Sequence, residues 1–222
     1  MPNRRITRPL LLGHRGARAS RETPENTLDS FELCLQHGCD GFEFDVRRSA
    51  DGQAVICHDA EYCGHEIARK AAASLQLPTL DEVLKYFADR AFLDIELKVA
   101  GLESLTLASL LKYPPRNGFV ISSFLPEVLA TIRDLDYHIP LGFLCETQRQ
   151  HHGWHGSSAE WVIPRCDLAN AQLIQEVHGA GKQIMLWTVN RADRMQEFGE
   201  WGADAIISDD TKLLVESFAN GK

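Results

Sequence analysis

The chain has 222 residues, 44% hydrophobic and 24% charged, a balance typical of a globular protein with enough apolar material for one large core. Twenty-three basic against thirty-one acidic residues leave a formal net charge of −8. That argues against a nucleic-acid backbone or an anionic membrane surface as the main partner, since both select basic patches, but not against a small phosphorylated molecule.

From the amino terminus, the only apolar run near the basic start is Leu10-Leu11-Leu12, too short for a secretory signal, and no stretch reaches membrane-spanning length. A cytoplasmic location without stable membrane insertion is expected. Leu10–Leu12 reads as a first strand. Leu28, Phe31 and Leu35 repeat at helical spacing within a segment from about Asn26 to His37. A second strand is predicted over Gly41–Val46, a turn at Asp51-Gly52 and a returning strand over Ala54–Cys57. Thr79 with Glu82 three residues on forms a capping-box signal for a helix from Leu80.

Strands and helices then alternate. Predicted strands are Phe92–Leu97, Phe119–Ile121, Pro140–Leu144, Trp161–Ile163, Gln183–Val189 and Ala205–Ile207. Predicted helices are Leu102–Lys112, Pro126–Asp136, Leu168–Ala180, Ala192–Trp201 and a closing one near Leu213–Phe218. The segment Glu146–Glu160 reads as a long loop in which the fifth helix is short or absent.

Leaving out the returning strand, this makes eight strand–helix units, which predict an α/β fold, a (β/α)8 TIM barrel, as one domain over residues 1–222. The rival, an open doubly wound sheet, usually carries a glycine-rich phosphate loop after its first strand, where this chain has His14-Arg15-Gly16. The six cysteines form no Cys-x-x-Cys pair and read as reduced, partly buried thiols.

In such a barrel, chemistry collects where strands end. His14 and Arg15 follow the first strand, and His58-Asp59 follows the returning strand. Glu43 and Asp45 are two apart on the second strand and so share a face, offering hard oxygen donors to Mg2+ or Ca2+. Glu96 and Lys98 repeat that spacing at the end of the third barrel strand. Each pair alone is commonplace on a solvated edge or in an ion pair. Their joint placement in apolar surroundings is what points to metal-assisted phosphodiester chemistry.

The motifs His14-Arg15-Gly16, Pro24-Glu25-Asn26-Thr27, Glu43-Phe44-Asp45-Val46, Asp51-Gly52, His58-Asp59, Ile95-Glu96-Leu97-Lys98, Ser123-Phe124 and Trp187-Thr188-Val189-Asn190 run in the order seen in the glycerophosphodiester phosphodiesterase family. The chain resembles that family over most of its length. The resemblance implies hydrolysis of a glycerophosphodiester to glycerol 3-phosphate and an alcohol, with one divalent metal ion, Mg2+ or Ca2+. It implies His14 and His58 as the acid/base pair, Glu43, Asp45 and Glu96 as metal ligands, and Arg15 and Lys98 as phosphate clamps. Trp187 matches an aromatic wall beside the glycerol, and Glu25 an acidic residue near the metal. Asn26 reads as the cap of the first helix.

The chain departs from the family in a short segment, Ala60–Leu77, before Pro78-Thr79-Leu80, and in Ser208-Asp209-Asp210-Thr211 after the last strand. The short segment leaves the alcohol preference open. The alternative on the same barrel is a lysophospholipase D or phospholipase C-like phosphodiesterase, which needs an apolar or membrane-facing rim that no exposed apolar helix or basic cluster announces. A binding protein without turnover fits poorly, because every chemical position is filled. An amidohydrolase lacks its strand-one His-x-His. His152 and His155 read as solvated loop histidines, Trp161 and Trp201 as packing, and Arg47-Arg48 as a solvated hairpin edge. The sequence leaves the oligomeric state open.

Overall fold

The structure, a computed structural model, describes residues 8–219. In chain order the elements are β1 (Leu10–His14), α1 (Leu28–Gln36), β2 (Gly41–Arg48), β3 (Ala54–Ile56), β4 (Glu61–Tyr62), β5 (His65–Glu66), α2 (Ala72–Leu75), α3 (Leu80–Phe87), β6 (Phe92–Leu97) and α4 (Glu103–Lys112). There follow β7 (Phe119–Ser123), α5 (Pro126–Leu135), β8 (Leu141–Cys145), α6 (Gln148–His151), β9 (Trp161–Pro164), α7 (Ala171–Gly179), β10 (Gln183–Leu186), α8 (Ala192–Trp201), β11 (Ala205–Ser208) and α9 (Thr211–Ala219).

Eight strands, β1, β2 and β6 to β11, pair in parallel around a closed ring, and β1 meets both β2 and β11. This is the expected (β/α)8 barrel. Strand β3 is added antiparallel to β2, which is why β2 runs to Arg48 rather than ending at Val46. Among the described residues no helix is long and apolar enough to cross a membrane. The six cysteines are all unpaired and four of them are buried.

The alternation along β2 sorts its side chains. Phe42 and Phe44 point toward the helices and pack on Phe31 of α1, with Phe31 and Phe42 stacked at 4.3 Å and Phe87 of α3 edge-on to both. Glu43 and Asp45, on the opposite face, therefore point into the barrel. Leu12, Phe92, Val120, Trp161 and Met185 form an apolar cluster of their own inside the ring. Along β6, Phe92, Asp94 and Glu96 share the inward face, so the strand passes from apolar to acidic toward its C-terminal end. Phe31→Ala should destabilise the protein by about 3–5 kcal/mol, the usual cost of emptying a fully buried aromatic site, read as a lower denaturation midpoint.

Several boundaries differ from expectation for identifiable reasons. Thr27, not Asn26, caps α1, its side chain accepting from the Ser30 backbone N–H. Thr79 and Glu82 form the expected capping box on α3. The predicted Leu168–Ala180 helix is divided, because Asn170 adopts extended backbone and caps α7 after a 3-10 turn at Cys166–Leu168. Strand β10 stops at Leu186, and Trp187 continues only as an isolated bridge to Arg165. After β8 the fifth helix is short, as expected: it is α6, followed by a 3-10 segment, His152–Gly156, around a buried Trp154 on which His155 stacks.

Candidate active site

The residues singled out in the sequence converge at the C-terminal mouth of the barrel. A cavity of about 290 Å³ is lined by His14, Arg15, Glu43, His58, Glu96, Lys98 and Trp187. Asp45 lies beneath it, almost wholly buried.

Glu43, Asp45 and Glu96 bring carboxylate oxygens within 4.8 Å of one another. Burial, and then repulsion from Asp45 and Glu96, pushes the Glu43 carboxyl well above its ordinary value. Glu96 is pushed up to about 7 by burial and by Asp45. Burial acts on Asp45 as well, but Lys98, Arg15 and a hydrogen bond from Asn26 outweigh it and hold this carboxyl down. Glu43 Oε2 accepts from the Arg15 backbone N–H at 3.0 Å, whereas its buried Oε1 has no hydrogen-bond donor. A buried acceptor left without a partner is costly, and a divalent cation among three carboxylates supplies the missing charge. The donor set fits such an ion.

Two cations face this cluster. Arg15 Nε lies 3.2 Å from Asp45 Oδ2, and Lys98 Nζ lies 3.3 Å from Asp45 Oδ1 and 2.7 Å from Glu96 Oε1. Arg15 reaches its place through a tight turn. Its own φ is +52°, and Gly16 follows at +82°, where an added Cβ would come within 2.5 Å of Ser30 Oγ. The Arg15 carbonyl accepts from the Asn26 N–H and from Ser30 Oγ, tying the turn to the start of α1.

Asn26 acts differently from expectation. Asn26 donates through Nδ2 to Asp45 Oδ2 at 2.8 Å and accepts from the Asp45 backbone N–H, so it holds the carboxylate. Glu25 bonds Arg15 and Arg18 outside the three-carboxylate group. Arg47 is no solvated edge either, because its Nε donates to the His58 carbonyl at 2.8 Å and fastens the end of the returning strand.

Each histidine has an aspartate on Nδ1. His58 Nδ1 is 2.7 Å from Asp59 Oδ1 in a half-exposed pair. Burial is the largest influence on His58 and leaves it below its ordinary value, although Asp45 and Asp59 pull upward. His14 Nδ1 is 2.7 Å from Asp209 Oδ1, and its Nε2 lies 3.9 Å from Glu43 Oε2. Asp209 is further bonded by Asn190 at 2.6 Å and Arg18 at 3.1 Å. Burial raises this carboxyl, but hydrogen bonds from His14, Asn190 and Arg18 and the charge of His14 hold it far below the carboxylate range.

Asp209 and Asn190 were missed as site residues in the sequence. The signal was the closure of the barrel, which sets Gly13 of β1 beside Ser208 of β11 and so brings the residues after each strand together. Asp94 was missed as well. Fully buried, bonded by Ser122 and lining the cavity, it is pushed up to about 7 by burial and by Glu96 and Asp45, despite the Ser122 bond. The Trp187 indole N–H donates to the Ile163 carbonyl, and its ring stands 5.5 Å from Phe124 in an edge-on pair.

Comparison with known proteins gives one consistent relationship. The sequence profile of the glycerophosphoryl diester phosphodiesterase family matches residues 14–86 and 69–213. A glycerophosphodiester phosphodiesterase of Caldanaerobacter subterraneus is 27% identical, the match covering 96% of this chain and 98% of that protein. Among solved structures, an Oleispira antarctica phosphodiesterase in complex with the product sn-glycerol-3-phosphate superposes with a TM-score of 0.84 at 24% identity, over 96% of this chain and 98% of that one. A Thermotoga maritima glycerophosphodiester phosphodiesterase does so with a TM-score of 0.83 at 22% identity, over 95% and 98%. At these identities the structural likeness shows the shared fold.

Proposed function

The chain belongs to the glycerophosphoryl diester phosphodiesterase family, and from that premise we propose that this cavity hydrolyses glycerophosphodiesters to glycerol 3-phosphate and an alcohol. The observation that carries the reading is the group of three buried carboxylates, one with an oxygen lacking any donor, set between two cations and two imidazoles. Glu43, Asp45 and Glu96 would hold a divalent ion, and an all-oxygen donor set suits Mg2+ or Ca2+. When bound, such an ion withdraws charge from the phosphoryl oxygens.

The protein's own groups do the rest. Arg15 and Lys98 hold the phosphate, Arg15 through its planar fork. Lys98 remains an ammonium, because attraction from Glu96 and Asp45 exceeds the burial that would discharge it. One histidine takes the proton from the attacking hydroxyl, which belongs to water or to the glycerol carbon next to the ester. The other gives a proton to the departing alkoxide. Trp187 and Phe124 form an aromatic wall on one side of the cavity. The product held by the Oleispira antarctica phosphodiesterase is of the class proposed here.

The test is a panel of glycerophosphocholine, glycerophosphoethanolamine and glycerophosphoglycerol, assayed for glycerol 3-phosphate with Mg2+, Ca2+, Mn2+ or chelator. Release that stops in chelator and returns with one of these ions is expected; full turnover in chelator with no metal bound would remove the metal from the mechanism. Arg15→Lys keeps the charge but loses the fork. A charge-assisted hydrogen bond contributes about 1.5–3 kcal/mol, so kcat/KM should fall about 10- to 150-fold with the fold intact by circular dichroism. Normal turnover by Arg15→Lys would mean that Arg15 does not hold the phosphate.

A further inference from the structure

The catalytic cavity has a floor that the histidines, the two cations and the three-carboxylate group leave unused. At the ends of the neighbouring strands β6, β7 and β8 its lining residues come in pairs two apart, Asp94 and Glu96, Ser122 and Phe124, Leu144 and Glu146. Two residues along extended backbone keep the same face and advance by about 6.6 Å, so the first of each pair lies deeper than the second. With Ile207 of β11 this deeper level is Asp94, Ser122, Leu144 and Ile207, two polar side chains beside two apolar ones. The apolar core is packed up to the polar pair. An added Cβ on Gly142, the β8 neighbour of Ser122, would meet Ile163 at 2.5 Å and Ser122 Cβ at 3.0 Å.

The polar pair is incomplete. Ser122 Oγ donates to Asp94 Oδ1 at 2.6 Å, which commits the hydroxyl proton and fixes the carboxyl group. Asp94 Oδ2 is buried and has no hydrogen-bond partner, a costly state for such an oxygen. The side-chain donors of the cavity are engaged elsewhere, Lys98 with Asp45 and Glu96 and Arg15 with Asp45 and Glu25. A ligand group that completes the floor therefore brings its own hydrogen bond. A hydroxyl both donates and accepts, so it pairs with Oδ2 whether or not that oxygen carries a proton, whereas a methyl group leaves it unpaired.

We propose that Asp94 Oδ2, held in place by Ser122, binds the glycerol hydroxyl on the carbon farthest from the phosphorus and so selects diesters whose glycerol terminus is free. The inference rests on the phosphodiesterase reading for the place of the phosphate. Lys98 is four residues beyond Asp94 and stands at the rim, so a glycerol unit extending inward from a phosphate held there passes the Phe124 and Trp187 rings and ends at the floor. The hydroxyl on the carbon next to the ester stays beside the phosphorus, and the terminal one meets Asp94. Leu144 and Ile207 at the same depth give a further polar group nothing to bond.

The experiment compares glycerophosphocholine with its analogue lacking the terminal hydroxyl, the phosphocholine diester of propane-1,2-diol, which keeps the hydroxyl next to the ester. For the wild type kcat/KM should be about 10- to 150-fold lower with the analogue, the worth of a hydrogen bond to a carboxylate. In Asp94→Ala that ratio should shrink to about threefold or less. Asp94→Asn keeps the shape and the bond from Ser122 and puts an amide where Oδ2 was, so its ratio should lie between the two. What either substitution does to folding or to the neighbouring carboxylates acts on both substrates alike and cancels in the ratio, which a merely structural Asp94 leaves unmoved.

Calorimetric binding of glycerol 3-phosphate and of propane-1,2-diol 1-phosphate, in Mg2+ or Ca2+, gives a readout that does not need turnover, and the wild type should favour the first by about tenfold or more. Equal kcat/KM for the two diesters in the wild type would overturn the proposal. So would a preference that survives unchanged in Asp94→Ala and Asp94→Asn. If neither diester is hydrolysed but the binding preference is present and falls in Asp94→Asn, the floor stands and the catalytic reading fails. If neither is hydrolysed and the two phosphates bind alike, both fail.

Discussion

Glu43→Gln is expected to reduce metal-supported turnover by about a thousandfold or more, since charge stabilisation by a bound ion contributes several kcal/mol, while it raises the melting temperature of the metal-free protein. The two effects have one cause. Glu43 is buried beside Asp45 and Glu96, and in the absence of a cation its charge is opposed by burial and by both neighbours. The glutamine still accepts from the Arg15 N–H through its amide oxygen, so the turn after β1 is retained. What is lost is one negative charge and one strong oxygen donor. Thermal unfolding with and without Mg2+ or Ca2+ separates this from a structural role. The wild type should gain about 2.7 kcal/mol at an ion concentration a hundredfold above its dissociation constant, and the variant should gain far less. A variant that melts lower without metal and still responds fully to the ion would show that Glu43 is a structural acid and no ligand.

The barrel and the outline of this site were legible in the sequence because their signals are local. Glu43 and Asp45 are separated by one residue, and a strand turns that spacing into a shared face. Thr79 and Glu82 announce a helix start within four residues. His14 ends its strand and the turn at Arg15-Gly16 follows directly. Residues whose partners are distant in the chain were not legible.

His14 and Asp209 are separated by 195 positions and meet only because β1 closes on β11. Asn26 has the side chain of a helix cap and stands at a helix start, but its φ of +57° and its bonds to Asp45 give it to the site, and Thr27 does the capping. Asp94 sits in a buried strand, and nothing local distinguishes it from an isolated acid held by a serine.

Replacing His14 or His58 by alanine should lower kcat by about 10²–10⁴, the contribution of a positioned acid or base. The double variant should be far less than multiplicatively worse, because groups that act in one step are not additive. The structure adds a third member to this expectation. Asp209 holds His14 Nδ1 at 2.7 Å and is itself held by Asn190 and Arg18, an arrangement that leaves His14 Nε2 facing the carboxylate cluster. Asp209→Asn preserves shape but removes the charge behind the ring, and it should cost about tenfold to a hundredfold in kcat with little change in KM. Asp59→Asn should cost less, since the His58–Asp59 pair is open to solvent, which screens it. A substrate with a good leaving group needs little protonation, so it should rescue the variant that lacks the acid and leave the other impaired. That contrast assigns the two histidines. If His14→Ala and His58→Ala both keep near-wild-type rates across the pH range, neither ring moves a proton in the rate-limiting step and the two-histidine mechanism is wrong. If Asp209→Asn falls only in stability, with kcat and its pH profile unmoved, Asp209 is part of the barrel closure and not of the catalytic machinery.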